Sequence, residues 1–372
     1  MTIGVAVLGS TGSIGTSTLR VLARLRHRFR VVAITAYGSG NLLEEQAAAV
    51  GAEFVGLVNG PAGAQGCGGT DCLVTAATRP DVDIVVNAIV GSAGLEATIA
   101  ALAARKRVAL ANKETLVMAG ELVLRTAREH GGELIPIDSE HSAVLQCIAG
   151  RPAVEVKRLI LTASGGPFRE WHRDRLKTAR VEDALRHPTW QMGRKISVDS
   201  ATMANKALEV IEAHHLFGLA YEQIDVVVHP QSIIHAFTEF VDGSVLAQVG
   251  FPDMELPILY ALTYPERVPD DAVKPFDPIA AGPLTFEAVR HDDFPTFSLG
   301  VEAGRTGGTH PAVFNAANEV AVEAFLGGRI EFGRIPEVIE TVLAEHTSGP
   351  AADVAAILQA DRWAREATEA TC

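Results

Sequence analysis

The sequence predicts an α/β fold, with an N-terminal Rossmann-like doubly wound parallel sheet, a central α+β domain and a C-terminal helical bundle. Three observations carry this reading. Apolar runs at 5–8, 31–35, 54–58, 84–88, 108–111 and 134–137 alternate with helix-period stretches at 42–50, 95–104 and 120–130. A glycine-rich turn directly follows the first run. Beyond residue 290 the pattern becomes helical, with candidate helices at 299–304, 311–326, 335–345 and 352–367. A strand buried on both faces reads as an unbroken apolar run, as in a parallel sheet covered by helices.

At 372 residues the chain is too long for one average core. Composition shifts divide it into 1–130, a dinucleotide-binding domain, and 131–264, a second domain with expected strands at 158–162, 224–228, 233–239 and 244–249 and a helix over 201–214. Prolines 265, 269, 275, 278 and 283 then mark 265–289 as a linker, before a helical domain over 290–372. The formal net charge of −13, with no basic face, argues against a nucleic-acid partner. No apolar run reaches the roughly 20 residues of a membrane helix. The apolar N-terminus lacks a basic start and a cleavage site, so it reads as a first strand and not a signal peptide. Four cysteines without a CxxC pair fit free thiols in a reducing, cytoplasmic location.

The turn Gly9-Ser10-Thr11-Gly12-Ser13-Ile14-Gly15 lies between a strand and a helix. Glycines there permit a tight turn and let a pyrophosphate approach the amides at the helix N-terminus. The spacing is GxxGxxG, so position carries the argument more than the motif does. The second strand runs into Tyr37-Gly38-Ser39-Gly40-Asn41 with no acid to hold ribose hydroxyls, which favours NADP over NAD. Later strands also end in polar residues: Asn87, then Asn112-Lys113-Glu114, then Asp138-Ser139-Glu140. Lys113 stands where it can meet the nicotinamide ribose or a substrate.

Asp138 and Glu140 are two apart, which in an extended segment places both on one side. Glu209 lies on the expected 201–214 helix, three and four residues from Lys206 and Asn205. Three carboxylates without Cys or His suit a hard cation, Mg²⁺ or Mn²⁺; solvated acids and a Glu209–Lys206 pair are the plainer alternative. Ser164-Gly165-Gly166 offers a hydroxyl and amides to an anion. Asp199 and Ser200 stand at the expected N-cap of the 201–214 helix, with Asn205 and Lys206 within two turns. The charged stretch between them carries Trp171, His187, Trp190 and Met192 and reads as a flap over 165–194.

These segments together resemble the 1-deoxy-D-xylulose 5-phosphate reductoisomerase family. The resemblance rests on GSTGSIG (9–15), ANKE (111–114), PIDSEHSA (136–143), SGGPFR (164–169), the block from His187 to Ala213, HPQSIIHA (229–236), DGSVLAQVGFPDM (242–254) and PAVFNAANEVAVEAF (311–325). It implies reduction and isomerisation of a sugar phosphate with NADPH and Mg²⁺ or Mn²⁺, Co²⁺ being a further option, in a homodimer. It implies Asp138, Glu140 and Glu209 as metal ligands, and Ser139, Ser164, Ser200, Asn205, Lys206 and Glu209 around the substrate. His187, Trp190 and Met192 would form the flap, and His235 a further active-site histidine; Glu140, Lys113, His187 and His235 are the residues assigned to the chemistry. Thr11, Gly12, Ser13, Ile14, Asn41, Asn112, Lys113, Glu114, Gly193 and Met254 would contact NADPH. The 37–41 turn is longer and less basic than is usual for that family. A paralogue acting on a related sugar phosphate, and a plain NADP-dependent dehydrogenase using Cys147, are the alternatives.

Overall fold

Seven strands, β1 (Ile3–Leu8), β2 (Phe29–Ala36), β3 (Phe54–Leu57), β4 (Gly66–Gly68), β5 (Ile84–Asn87), β6 (Arg107–Leu110) and β7 (Glu133–Pro136), form one sheet in the computed structural model, which describes residues 2–60 and 66–372. All pairings are parallel, in the order β4-β3-β2-β1-β5-β6-β7. The order reverses at β1, which lies between β2 and β5; such a switch point is where open α/β sheets leave a crevice for ligands. Val5, Ala6, Val7 and Leu8 are wholly buried, as the unbroken apolar run requires. The helices Ser13–Arg24, Gly40–Val50, Asp71–Thr78, Leu95–Ala103 and Lys113–His130 connect successive strands. β4, three residues with two glycines, offers no apolar run and is the one strand of this sheet the sequence does not announce.

This sheet belongs to a compact unit of residues 1–115, 121–142 and 253–274. The last of these segments carries the helix Glu255–Thr263. Arg20 and Arg24, on the helix after β1, pair with Glu255 at 2.8 and 2.7 Å, and Arg24 also reaches Asp270 at 2.8 Å.

The second unit comprises 116–120, 143–252 and 275–372. Its strands β8 (Val156–Ala163), β9 (Ile224–Val228), β10 (Ile234–Phe240), β11 (Val245–Val249) and β12 (Glu287–Ala288) form a mixed sheet in the order β11-β10-β8-β9-β12. The helices Pro295–Thr306, His310–Leu326, Arg334–Glu345 and Val354–Thr371 follow. Phe314, Ile335 and Ile339 from these helices share one core cluster with Leu159, Leu161 and Leu208. The stretch 265–289, expected as a linker, divides at Lys274 and Pro275 between the units, and its end supplies β12, paired with β9.

Two local expectations change. Residues 139–148 are a helix, not an extension of β7, so the same-side argument for Asp138 and Glu140 does not hold. Pro136 closes the strand, and Glu140 then falls in a first helical turn, where an acid suits the dipole. The expected 201–214 helix is two helices, Arg194–Thr202 and Ala204–Phe217, parted by Met203 at φ 64. Asp199 and Ser200 therefore sit in a last turn and cap nothing at an N-terminus. A left-handed methionine has no sequence signal, because steric cost, not residue type, normally forbids it.

Candidate active site

In the first unit the glycine turn is fastened to the end of β2. The Gly9 and Ser10 amides both donate to the Thr35 carbonyl, at 3.0 and 2.8 Å. Gln46 braces the turn from the next helix: its side chain accepts from Ser10 Oγ at 2.8 Å and donates to the Ser10 carbonyl at 3.1 Å. Gly9 has φ 81, and a Cβ on Gly15 would lie 2.2 Å from the Gly9 carbonyl oxygen, so both positions need glycine. Gly12 is the N-cap residue of Ser13–Arg24, and a Cβ there would meet nothing nearer than 3.4 Å. The first-turn amides, which no helix satisfies internally, thus follow a turn in which Gly12 and Ser13 are exposed and Thr11 and Ile14 half-buried.

The ends of β5 and β6 are organised from within. Asn87 is wholly buried and donates to the Gly94 carbonyl (3.0 Å) and Thr98 Oγ1 (2.8 Å). Asn112, also wholly buried, donates to the carbonyls of Ile89 and Gly91, both at 2.9 Å, and to Glu114 Oε2. Its side chain is committed to holding the 89–91 loop, so what it can offer a cofactor is backbone. Lys113 is buried, with Nζ 2.7 Å from Asp138 Oδ2. Ser139 Oγ donates to Glu140 Oε2. Asn41 is exposed in the first turn of Gly40–Val50, and Met254 is the N-cap residue of Glu255–Thr263.

In the second unit the 164–166 loop leaves β8. Gly165 and Gly166 have φ 82 and 67, and a Cβ on Gly166 would lie 2.5 Å from the Ser200 carbonyl oxygen. Ser164 Oγ lies 2.9 Å from His187 Nε2 and accepts from the Gly166 amide at 3.2 Å. His187 Nδ1 accepts from the Thr189 and Trp190 amides, at 3.1 and 2.8 Å. Burial pushes the His187 pKa down to about 4, so the ring is neutral near pH 7. With Nδ1 accepting twice, the proton sits on Nε2 and is donated to Ser164 Oγ. The serine hydroxyl proton is then left to point at a ligand.

Glu209 is buried, and its carboxylate accepts from Asn205 Nδ2 at 2.5 Å and from the buried Lys206 ammonium. This is the i,i+4 and i,i+3 cluster the spacing predicts. Trp190 faces His235 of β10 with ring centroids 6.4 Å apart. Met192 is half-buried; Gly193 is the exposed N-cap residue of Arg194–Thr202.

Sequence reading missed the groups that hold these in place. Asp199 accepts from Lys195 at 2.8 Å and from Asn318 at 2.8 Å, which ties Arg194–Thr202 to His310–Leu326. The 195/199 spacing signals the first partner; nothing local signals the second. His229 bridges the Thr285 carbonyl (2.9 Å) and the Ile233 amide (3.1 Å).

Family models match three parts of the chain: 1-deoxy-D-xylulose 5-phosphate reductoisomerase over 5–120, its C-terminal domain over 134–217, and the DXP reductoisomerase C-terminal domain over 249–367. The 1-deoxy-D-xylulose 5-phosphate reductoisomerases of a Synechococcus sp. and of Pelotomaculum thermopropionicum are each 50% identical to it, over 98% and 97% of the chain and 96% of each relative. Among solved structures, the reductoisomerase of Zymomonas mobilis in complex with NADPH is 40% identical, with a TM-score of 0.92 over 100% of this chain and 99% of that one. A DOX-P reductoisomerase in complex with NADPH, fosmidomycin and magnesium is 39% identical, with a TM-score of 0.93 over 99% and 98%. The chain belongs to the 1-deoxy-D-xylulose 5-phosphate reductoisomerase family.

Proposed function

We propose that the chain isomerises 1-deoxy-D-xylulose 5-phosphate and reduces the product with NADPH to 2-C-methyl-D-erythritol 4-phosphate, using a divalent cation. The observation that carries this reading is the solved relative at a TM-score of 0.93 that binds NADPH, fosmidomycin and magnesium. The residues present suit both groups. The glycine turn leaves room at Gly12 and exposes Gly12 and Ser13 at the helix start, as a pyrophosphate needs, and Asp138, Glu140 and Glu209 are oxygen donors of the kind Mg²⁺ or Mn²⁺ prefers. When bound, the cation supplies Lewis-acid polarisation of substrate oxygens and NADPH supplies hydride.

The chain's own side chains bind and orient. Ser164 turns its hydroxyl proton to the substrate phosphate because His187 Nε2–H and the Gly166 amide occupy its lone pairs. Ser200, Asn205 and Lys206 add donors, and Ser139 contacts the substrate beside Glu140. Lys113 pairs with Asp138 and Lys206 with Glu209, so each proposed ligand carboxylate already has a cationic neighbour. Trp190 and Met192 close over the substrate beside His235 and exclude water. Thr11, Gly12, Ser13, Ile14, Asn41, the Asn112 backbone, Lys113, Glu114, Gly193 and Met254 line the cofactor.

Among the described residues, no helix is long and apolar enough to cross a membrane. From the cysteine usage we place the enzyme in the cytoplasm. We also infer a homodimer: β11 is an edge strand whose Val245 and Leu246 are 50% and 38% exposed, a surface suited to cover by a second copy.

The test is NADPH oxidation with 1-deoxy-D-xylulose 5-phosphate. Turnover is expected only with Mg²⁺ or Mn²⁺, abolished by chelator, inhibited by fosmidomycin and retained in Cys147→Ala. Absence of turnover on this substrate with metal and NADPH present overturns the reading.

A further inference from the structure

At the edge of the seven-stranded sheet two cysteines share the space over one glycine. The edge strand β4 pairs with β3, placing Cys67 beside Gly56, and β3 pairs with β2, placing Gly56 beside Thr35. Residues in register on parallel strands point to the same face, one strand spacing of about 4.8 Å apart. Thr35, Gly56 and Cys67 therefore form one row, and its middle member has no side chain. A Cβ on Gly56 would lie 2.9 Å from Cys72 Sγ, 3.0 Å from Cys72 Cβ and 3.0 Å from Thr35 Cγ2. Cys72, in the first turn of Asp71–Thr78, thus lays its thiol on Gly56, next in the row to Cys67.

The turn between the two cysteines brings them to this point. Gly69 has φ 78, a left-handed conformation that suits glycine, and its carbonyl accepts from the Cys72 amide at 3.3 Å. Gly69 and Thr70 are exposed, Cys67 is half-buried and Cys72 is wholly buried. Burial, and after it the charge of Cys67, push the Cys72 thiol up to about 11, so the two sulfurs lie within each other's field. A disulfide needs Cβ atoms about 3.5–4.5 Å apart. One partner here sits on a three-residue edge strand with a neighbour on one side only, which can shift to meet that need.

We infer that Cys67 and Cys72 form a redox-active dithiol, which closes reversibly to a disulfide when a low-molecular-weight disulfide such as oxidised glutathione accumulates. Cys67, the thiol that solvent reaches, gives up its proton and attacks one sulfur of the glutathione disulfide. That S–S bond breaks, and one glutathione leaves as a thiolate that takes up the proton. Cys72 then attacks the Cys67 sulfur, the mixed disulfide breaks, and the second glutathione leaves with the Cys72 proton. Both protein thiols are oxidised, and the glutathione disulfide is reduced to two thiols. Cys72, buried and holding its proton, is a poor first attacker, but its target in the second step is held beside it. The closed form staples the edge strand β4 to the helix that follows it. Reversible closure of this kind is the use that disulfides find in a reducing compartment.

Peptide mapping of the full chain tests this without turnover. The reduced protein is equilibrated under native conditions with mixtures of reduced and oxidised glutathione, quenched by alkylation, digested and analysed by mass spectrometry. A Cys67–Cys72 cross-link is expected in the oxidising mixtures and is lost entirely on adding dithiothreitol. In Cys72→Ser, Cys67 is expected to carry glutathione instead; in Cys67→Ser, the Cys72 thiol stays reduced. Both cysteines still reduced in the most oxidising mixture overturn the inference. So does a glutathione adduct that persists on Cys67 in the wild type with Cys72 reduced, or a cross-link from either residue to Cys147 or Cys372 of the second unit. Oxidation of Cys72 in Cys67→Ser at the wild-type rate overturns the order of attack. The wild-type map decides alone should a serine variant fail to fold.

Discussion

The two units build their proposed binding surfaces from different material. Around the glycine turn the first unit uses backbone: amides at a helix start, set by Gly9 and Gly15, with Thr35 and Gln46 bracing the loop. Around the 164–166 loop the second unit uses side chains: Ser164 primed by His187, and Glu209 flanked by Asn205 and Lys206. A backbone site is broken by adding atoms and a side-chain site by removing charge. The two halves should therefore fail in opposite ways.

The largest effect is expected from Glu209→Gln. Glutamine keeps the volume but removes the anion and one of the two acceptor oxygens that Asn205 and Lys206 use. Turnover should fall on the order of a thousandfold, several kcal/mol of lost metal-assisted stabilisation, while the NADPH dissociation constant stays within about twofold. A near-normal rate in metal-saturated assays would remove Glu209 from the proposed ligand set. Gly15→Ala should do the reverse. Its Cβ would lie 2.2 Å from the Gly9 carbonyl oxygen and 2.5 Å from Ser10 Cα, both backbone, so the turn must open. We expect a loss of about 1–3 kcal/mol in stability and a loss of NADPH affinity of at least about tenfold, read by thermal melts and titration. NADPH affinity equal to wild type would show that the turn does not shape the cofactor site.

The same contrast explains what could be read from sequence. The parallel sheet was legible because burial on both faces writes itself as apolar runs, and six of its seven strands announce themselves so. The glycine turn was legible because only glycine fits. In the second unit the i,i+3 and i,i+4 pairing of Lys206 and Asn205 with Glu209 follows from helix geometry, and the structure shows it. The helix break at Met203 was not legible, since no glycine or proline marks it. Nor was the Asn318–Asp199 contact, which spans 119 positions and depends on how helices pack. The 139–148 segment was misread because a two-residue carboxylate spacing looks alike in a strand and at a helix start.

The smallest effect should come from pH, and it acts only on the side-chain half. Burial holds the His187 pKa at about 4, below its ordinary 6.5. The unfolded chain therefore takes up this proton first as pH falls. The contribution of neutral His187 to stability is complete above about pH 6.5 and is lost as pH drops through about 4. Protonation would also place a hydrogen on Nδ1, where the Thr189 and Trp190 amides now donate, and so loosen the 189–190 segment. The substrate KM should rise as pH falls through about 4, more steeply in the wild type than in His187→Gln, by a few-fold, the scale of a single hydrogen bond. Dissociation of NADPH should show no such difference between the two proteins. If the KM profiles of wild type and His187→Gln run parallel, His187 does not couple the flap to the phosphate loop.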